Sequence, residues 1–137
     1  MNWRLIACLT LAASLSGCGL EYEVCTTHYP SGEVWSVRYY SNGVPHRPWV
    51  TWHSNEIERQ TTNFEQGARA GDWRTVSVDG RILFERSYLD DEPHGTWRRY
   101  HRNGKTASES SFDQGRPVGV WTWWDRDGNV TATLDYD

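Results

Sequence analysis

A chain of 137 residues with 37% hydrophobic content and a formal net charge of −4 holds material for one domain. The negative balance and a single lysine, Lys105, exclude a phosphate-binding surface of the nucleic-acid type and a polybasic membrane patch. Nine Trp and seven Tyr against three Phe point instead to surfaces that are half buried and half wet, because those rings carry a polar handle.

The chain opens with MNWRLIACLTLAASLSGC, in which Arg4 precedes an apolar run from Leu5 to Leu15. Eleven residues are too few to span a bilayer, which takes about 20, but they suit the apolar segment of a secretory leader. The run ends in Leu15-Ser16-Gly17-Cys18, which resembles the lipobox of bacterial lipoproteins. That resemblance implies a signal peptide over 1–17, forming a helix removed on maturation, and lipidation of Cys18. Residues 18–24 then form a lipidated tether and 25–137 the folded domain. Several acyl chains on one residue anchor firmly, at about 0.8 kcal/mol per buried methylene. Gly19 rather than Asp follows, so the inner-membrane retention signal is absent. The expected address is the outer membrane, facing the periplasm or the cell surface. With Cys8 lost and Cys18 lipidated, Cys25 is expected as a packed lone thiol with no intramolecular disulfide.

From there the chain repeats every 24 residues, in about five copies. One column is Trp49, Trp73, Trp97 and Trp121; another is Trp52, Val76, Tyr100 and Trp124. A third is Tyr40, Phe64, Tyr88, Phe112 and Tyr136, and a fourth is Gly71, Gly95 and Gly119, with Arg47 in the earlier copy. A turn column runs Ser31-Gly32, Asn55-Glu56, Asp79-Gly80, Asn103-Gly104 and Asp127-Gly128. Asn-Gly and Asp-Gly between runs of Thr, Val, Tyr and Trp predict β-hairpins.

A two-residue type I′ turn at Asn103-Gly104 pairs Arg102 with Lys105 and Arg98 with Glu109. The same register sets Arg74 opposite Glu85, Thr122 opposite Thr133 and Val50 opposite Thr61. Charge then meets opposite charge and neutral meets neutral, as cross-strand pairing favours. Each column glycine falls opposite a ring, Gly95 against Phe112 for example, which suggests a ring lying over bare backbone. Alternation puts Trp97, Arg99 and Phe112 on one face and Arg98, Tyr100 and Glu109 on the other. Stretches such as Asp91–His94 and Gln114–Val118 read as return loops. The expected fold is all-β: one elongated antiparallel meander with a thin core.

Gly-x-Trp-x-x-Tyr/Trp-x-x-Asn/Asp-Gly, then Glu, an aromatic and a Gly-containing loop, resembles the MORN-repeat variant found in YwqK-type, antitoxin-like proteins. The resemblance covers residues 31–137 and is clear from Gly71 onward. It implies arrays of β-hairpins that bind other molecules, usually proteins and occasionally lipid. A secreted member would meet a toxin acting in the envelope rather than in the cytoplasm.

Chemistry is sparse. His46 and His94 share a column, but two hairpins set them roughly 19 Å apart, too far for one metal ion. The histidines read as exposed loop residues, Asp90-Asp91-Glu92 as a solvated run, and no metal or cofactor is expected. Glu85 and Glu109 face arginines, which keep them ionised and unfit as general acids. No nucleophile motif is present, so an enzyme is not expected.

What remains is surface. Trp49, Trp73, Trp97 and Trp121, with Gly71, Gly95, Gly119, Gly80, Gly104 and Gly128, read as structural repeat positions. Trp123, Trp124, Tyr100, Arg99 and Trp52 are the candidate ligand contacts, since Trp, Tyr and Arg dominate binding hot spots. Trp123 stands out because its column otherwise reads Thr51, Thr75 and Arg99. Three readings stay open: a protein-binding module held to the membrane through Cys18, a cell-wall glycan binder using exposed Trp, and a spacer without ligand.

Overall fold

A computed structural model describes residues 6–12 and 21–136. Among them there is no helix, and all strands join one antiparallel sheet. In chain order they are β1 (Ile6–Ala12), β2 (Glu21–His28), β3 (Val34–Ser41), β4 (Val44–Pro45), β5 (Arg47–Trp52), β6 (Glu58–Glu65) and β7 (Ala68–Arg69). There follow β8 (Gly71–Val76), β9 (Ile82–Leu89), β10 (Glu92–Pro93), β11 (Gly95–Tyr100), β12 (Thr106–Asp113), β13 (Arg116–Trp124) and β14 (Val130–Asp135). The long strands lie in sequence order, which is the expected meander; β4, β7 and β10 are short returns on β3, β6 and β9.

The expected register holds. Arg98 faces Glu109, Arg74 faces Glu85, Thr122 faces Thr133 and Val50 faces Thr61. The turn that sets it differs from the expected one. His101 N–H donates to Lys105 O at 2.8 Å and Gly104 N–H to His101 O at 2.9 Å, closing a three-residue loop. A type I′ turn needs positive φ at two successive residues, but here Gly104 (φ 84) has it and Asn103 does not. The register shift between Arg99 and Tyr100 then absorbs one residue, Ala107, and restores the pairing beyond it.

Type I′ geometry occurs at the opposite ends of the hairpins. Asn42-Gly43, Gln66-Gly67, Asp90-Asp91 and Gln114-Gly115 each have two successive positive φ values. They join ladder pairs such as Ser41–Val44 and Leu89–Glu92. The stretches read as return loops are therefore tight turns followed directly by strand.

Two expectations fail at the N-terminus. Ile6–Ala12 is a strand paired with β2 where a signal helix is expected. The edge of β2 presents a row of backbone donors and acceptors, and the apolar run of β1 completes that ladder. Cys25 is disulfide-bonded rather than a lone thiol. The backbone register sets Cys8 opposite Cys25. Cys18 and the cleavage point lie outside the described residues.

Burial is thin, as a single-layer sheet dictates. Val76, Tyr88 and Ala107 are the buried apolar residues among those described, with Thr27, Ser36 and Thr62 the buried polar ones. Stability must come from contacts along the sheet surface.

Candidate recognition surface

Each repeat begins with a kink. Three steps along β3, Val37 to Tyr40, face five along the returning chain, Pro45 to Val50. The extra length is taken up where Arg47, Gly71, Gly95 and Gly119 adopt left-handed φ of 64, 69, 71 and 64°. The glycine column therefore answers to backbone conformation. Space is not the reason: a Cβ on Gly95 would lie 3.7 Å from Ser87 Cβ, and one on Gly119 would meet nothing within 4 Å.

The kink delivers the Trp two residues on to a fixed partner. Trp49 Nε1 donates to Tyr39 O at 2.8 Å, Trp73 to Asn63 O at 3.1 Å, Trp97 to Ser87 O at 2.9 Å and Trp121 to Ser111 O at 3.1 Å. Ser87 O also accepts His94 N–H at 3.0 Å, so both carbonyl lone pairs are used. The ladder between neighbouring hairpins is short; β9 and β11 share only the pairs Arg98–Glu85 and Arg99–Phe84. The indole staple holds the hairpins together where the ladder gives out.

The rings then form one continuous row. Tyr40, Trp49, Phe64, Trp73, Tyr88, Trp97, Phe112, Trp121 and Tyr136 succeed one another at centroid spacings between 4.7 and 5.5 Å. All are tilted, the arrangement that the ring quadrupole favours. Guanidinium groups lie over this row, Arg69 over Tyr88 at 4.4 Å and Arg86 over Trp97 at 5.2 Å, and Arg86 also lies 4.9 Å from the Phe84 ring, outside the row.

The other face is polar. Arg98 Nε bonds Glu109 Oε2 at 2.7 Å, which holds the Arg98 guanidinium above its ordinary pKa. Arg74 faces Glu85 in the ladder, but the Glu85 carboxylate is taken by the Tyr100 hydroxyl at 2.5 Å. Burial first, and that bond second, push the Tyr100 phenol above its usual value.

The candidate contacts do not form one patch. Trp123 lies on the ring face, 6.3 Å from Trp121, and Arg99 shares its row because both flank Ser108. Tyr100, Trp52 and Trp124 belong to the opposite face, near the hairpin turns. Trp52 borders an apolar groove with Val34 and Val37, and Trp124 a more polar one with Lys105 and Glu109.

The histidines are half-buried rather than exposed. His53 Nε2 bonds Val76 O at 2.9 Å and His101 Nε2 bonds Trp124 O at 2.8 Å, each clasping the next repeat. Asn55 and Asn103 do the same, to Val78 O and Arg126 O. A recurrence of polar residues at the hairpin ends was the sequence signal for these clasps. Among the described residues no cluster of three or more His, Cys, Asp or Glu could hold a metal ion.

Residues 93–114 and 117–137 match the MORN repeat variant. The two MORN-variant segments fall on β11–β12 and β13–β14, each one kink, staple, turn and ring strand. The units beginning at Arg47 and Gly71 carry the same staple and ring contacts outside the matched segments. No curated protein and no solved structure matches the chain. MORN-type repeats are binding or structural modules, and the surface described here fits that role.

Proposed function

We propose that this chain is a non-catalytic, lipid-anchored envelope protein whose ring face binds a protein partner. The observation that carries the reading is Trp123. Its indole nitrogen donates to no described residue, unlike those of the four staple tryptophans, and its column elsewhere holds Thr51, Thr75 and Arg99. The scaffold does not require a large ring there, and a half-buried Trp suits a binding hot spot, with Arg99 on the same face beyond Ser108. An immunity-like role against an envelope-acting toxin is the narrower form of this reading.

Crosslinking in intact cells followed by partner identification tests it. Trp123→Ala should weaken capture while the unfolding midpoint moves little; undiminished capture would remove the proposed site. The anchor is tested separately. Cys18→Ser should abolish labelling by a fatty-acid probe and release the protein from the membrane fraction. Processing before Cys18 would also take away β1 and Cys8.

A further inference from the structure

We propose that the ring face between β9 and β13 receives an extended acidic segment of the partner, its carboxylates held by Arg86 and Arg99. The proposal rests on the protein-binding reading above and names the chemistry of the segment bound.

Charge is sorted between the two faces. From Gly71 to Tyr136 the ring-face strand positions carry two guanidinium groups, Arg86 and Arg99, and no carboxylate. The opposite face of the same strands carries Asp72, Glu85, Glu92, Glu109, Asp113 and Asp135 against Arg74, Arg98 and Arg116. A chain of net charge −4 thus presents a cationic strip on one side.

The two arginines are also uncommitted. Arg69, Arg81 and Arg98 each pair with a carboxylate, whereas Arg86 and Arg99 make no ion pair or hydrogen bond among the described residues. Arg86 is held by stacking on Phe84 and Trp97, which fixes the plane of the guanidinium and leaves its N–H edge to donate. Arg99 faces Phe84, two residues from Arg86, so the two stand in a diagonal relation of roughly 7–8 Å. Alternate side chains of an extended peptide are spaced by about 6.8 Å, close to that interval. Ser108 and Ser110 line the shallow cleft with them, adding hydroxyl donors, and Trp123 stands beside Ser108. Bidentate guanidinium–carboxylate bonds suit such a strip.

The test is fluorescence anisotropy of the full chain with a labelled peptide of alternating Glu and Thr. A Lys-Thr peptide, polygalacturonate and phosphatidylglycerol vesicles serve as rivals. The Glu-Thr peptide should bind, weaken with added salt, and lose about tenfold in affinity in the Arg86→Gln/Arg99→Gln variant. Arg102→Gln, at an exposed hairpin turn, should bind like the parent. Arg99 is exposed and unbonded, so Arg99→Gln alone tests the site even if loss of Arg86 disturbs the stack; a loss of about threefold is expected. No binding, equal binding by Arg99→Gln, or retention only on polygalacturonate or vesicles overturns the inference. Cellular capture that is lost in Trp123→Ala but unchanged in Arg99→Gln would overturn it while leaving the protein-binding function standing.

Discussion

Replacing Trp97 separates the two forces that join the hairpins. Trp97→Phe keeps a ring between Tyr88 at 5.3 Å and Phe112 at 4.8 Å, but removes the Nε1–H that reaches Ser87 O. One hydrogen bond contributes about 0.5–1.5 kcal/mol, and Ser87 O keeps its bond from His94 N–H, so no orphaned acceptor adds to the loss. The expected cost is about 1 kcal/mol. Trp97→Ala removes the ring as well. Full burial would make that about 3–5 kcal/mol, and half burial brings it to roughly 2. Two lost ring pairs at about 0.5–1.5 kcal/mol each raise the total to roughly 3–5. Urea unfolding followed by far-UV circular dichroism, compared at equal m-value, measures both. Trp49→Phe combined with Trp97→Phe should add, because two hairpins separate the sites by roughly 19 Å. A Trp97→Phe variant as stable as the parent would show that the staple contributes nothing. One as unstable as Trp97→Ala would show that the ring row contributes nothing. Either result defeats the reasoning.

Gly95→Ala should cost about 1 kcal/mol, the left-handed penalty less the entropy recovered from the unfolded chain, because φ is 71° and the site has room. A loss beyond about 3 kcal/mol in the same urea assay would mean a steric role instead. Gln66 sits at φ 48° in a type I′ turn, so Gln66→Asn should raise the urea midpoint with m unchanged, a stability gain of about 0.5 kcal/mol. Asp125 is held below the usual carboxylate range, first by the Asn129 side chain and then by backbone N–H groups, and Asp91 likewise, first by Arg69 N–H and then by its side chain. A folded pKa below the unfolded one stabilises above about pH 3.9 and is lost as pH falls through the folded value. Melting temperature should therefore drop below about pH 4, with a shallower slope in Asp91→Ala/Asp125→Ala.

The repeat made much of this fold readable from residues alone. Columns spaced by a constant step gave the register twice over, once through turns and once through charge pairs, and two independent constraints tolerate an error in one. That is why Arg98 meets Glu109 although the turn at Asn103-Gly104 belongs to another class: the bulge at Ala107 offsets the three-residue loop. The type I′ turns were visible as Asn42-Gly43, Gln66-Gly67 and Gln114-Gly115, but Asp90-Asp91 lacks the glycine, so the column did not stand out. The staple was not legible. Gly-x-Trp states the spacing, yet the target carbonyl, ten residues back, is fixed by a kink that only the left-handed φ produces. The candidate contacts failed to converge for the same kind of reason. Trp123 and Trp124 are adjacent in sequence, and a strand sends adjacent side chains to opposite faces.

The ring row also limits how this surface can bind. Apart from buried Tyr88 and exposed Tyr136 its rings are half-buried already, so a ligand lying along it covers a modest further area on each. At about 25 cal/mol per Å², covering 100 Å² of apolar surface yields about 2.5 kcal/mol before the costs of association, which run to several kcal/mol. The row is consequently a platform that any flat ligand could touch weakly, and affinity has to come from groups that depart from the repeat. On this face those are Trp123 and Arg99, in a column that otherwise holds Thr, joined by the uncommitted Arg86, whose place two repeats earlier is taken by Arg38. A mutation in the row lowers stability and binding together, whereas one at Arg99 or Trp123 separates them. That separation distinguishes a recognition surface from a scaffold that happens to be aromatic.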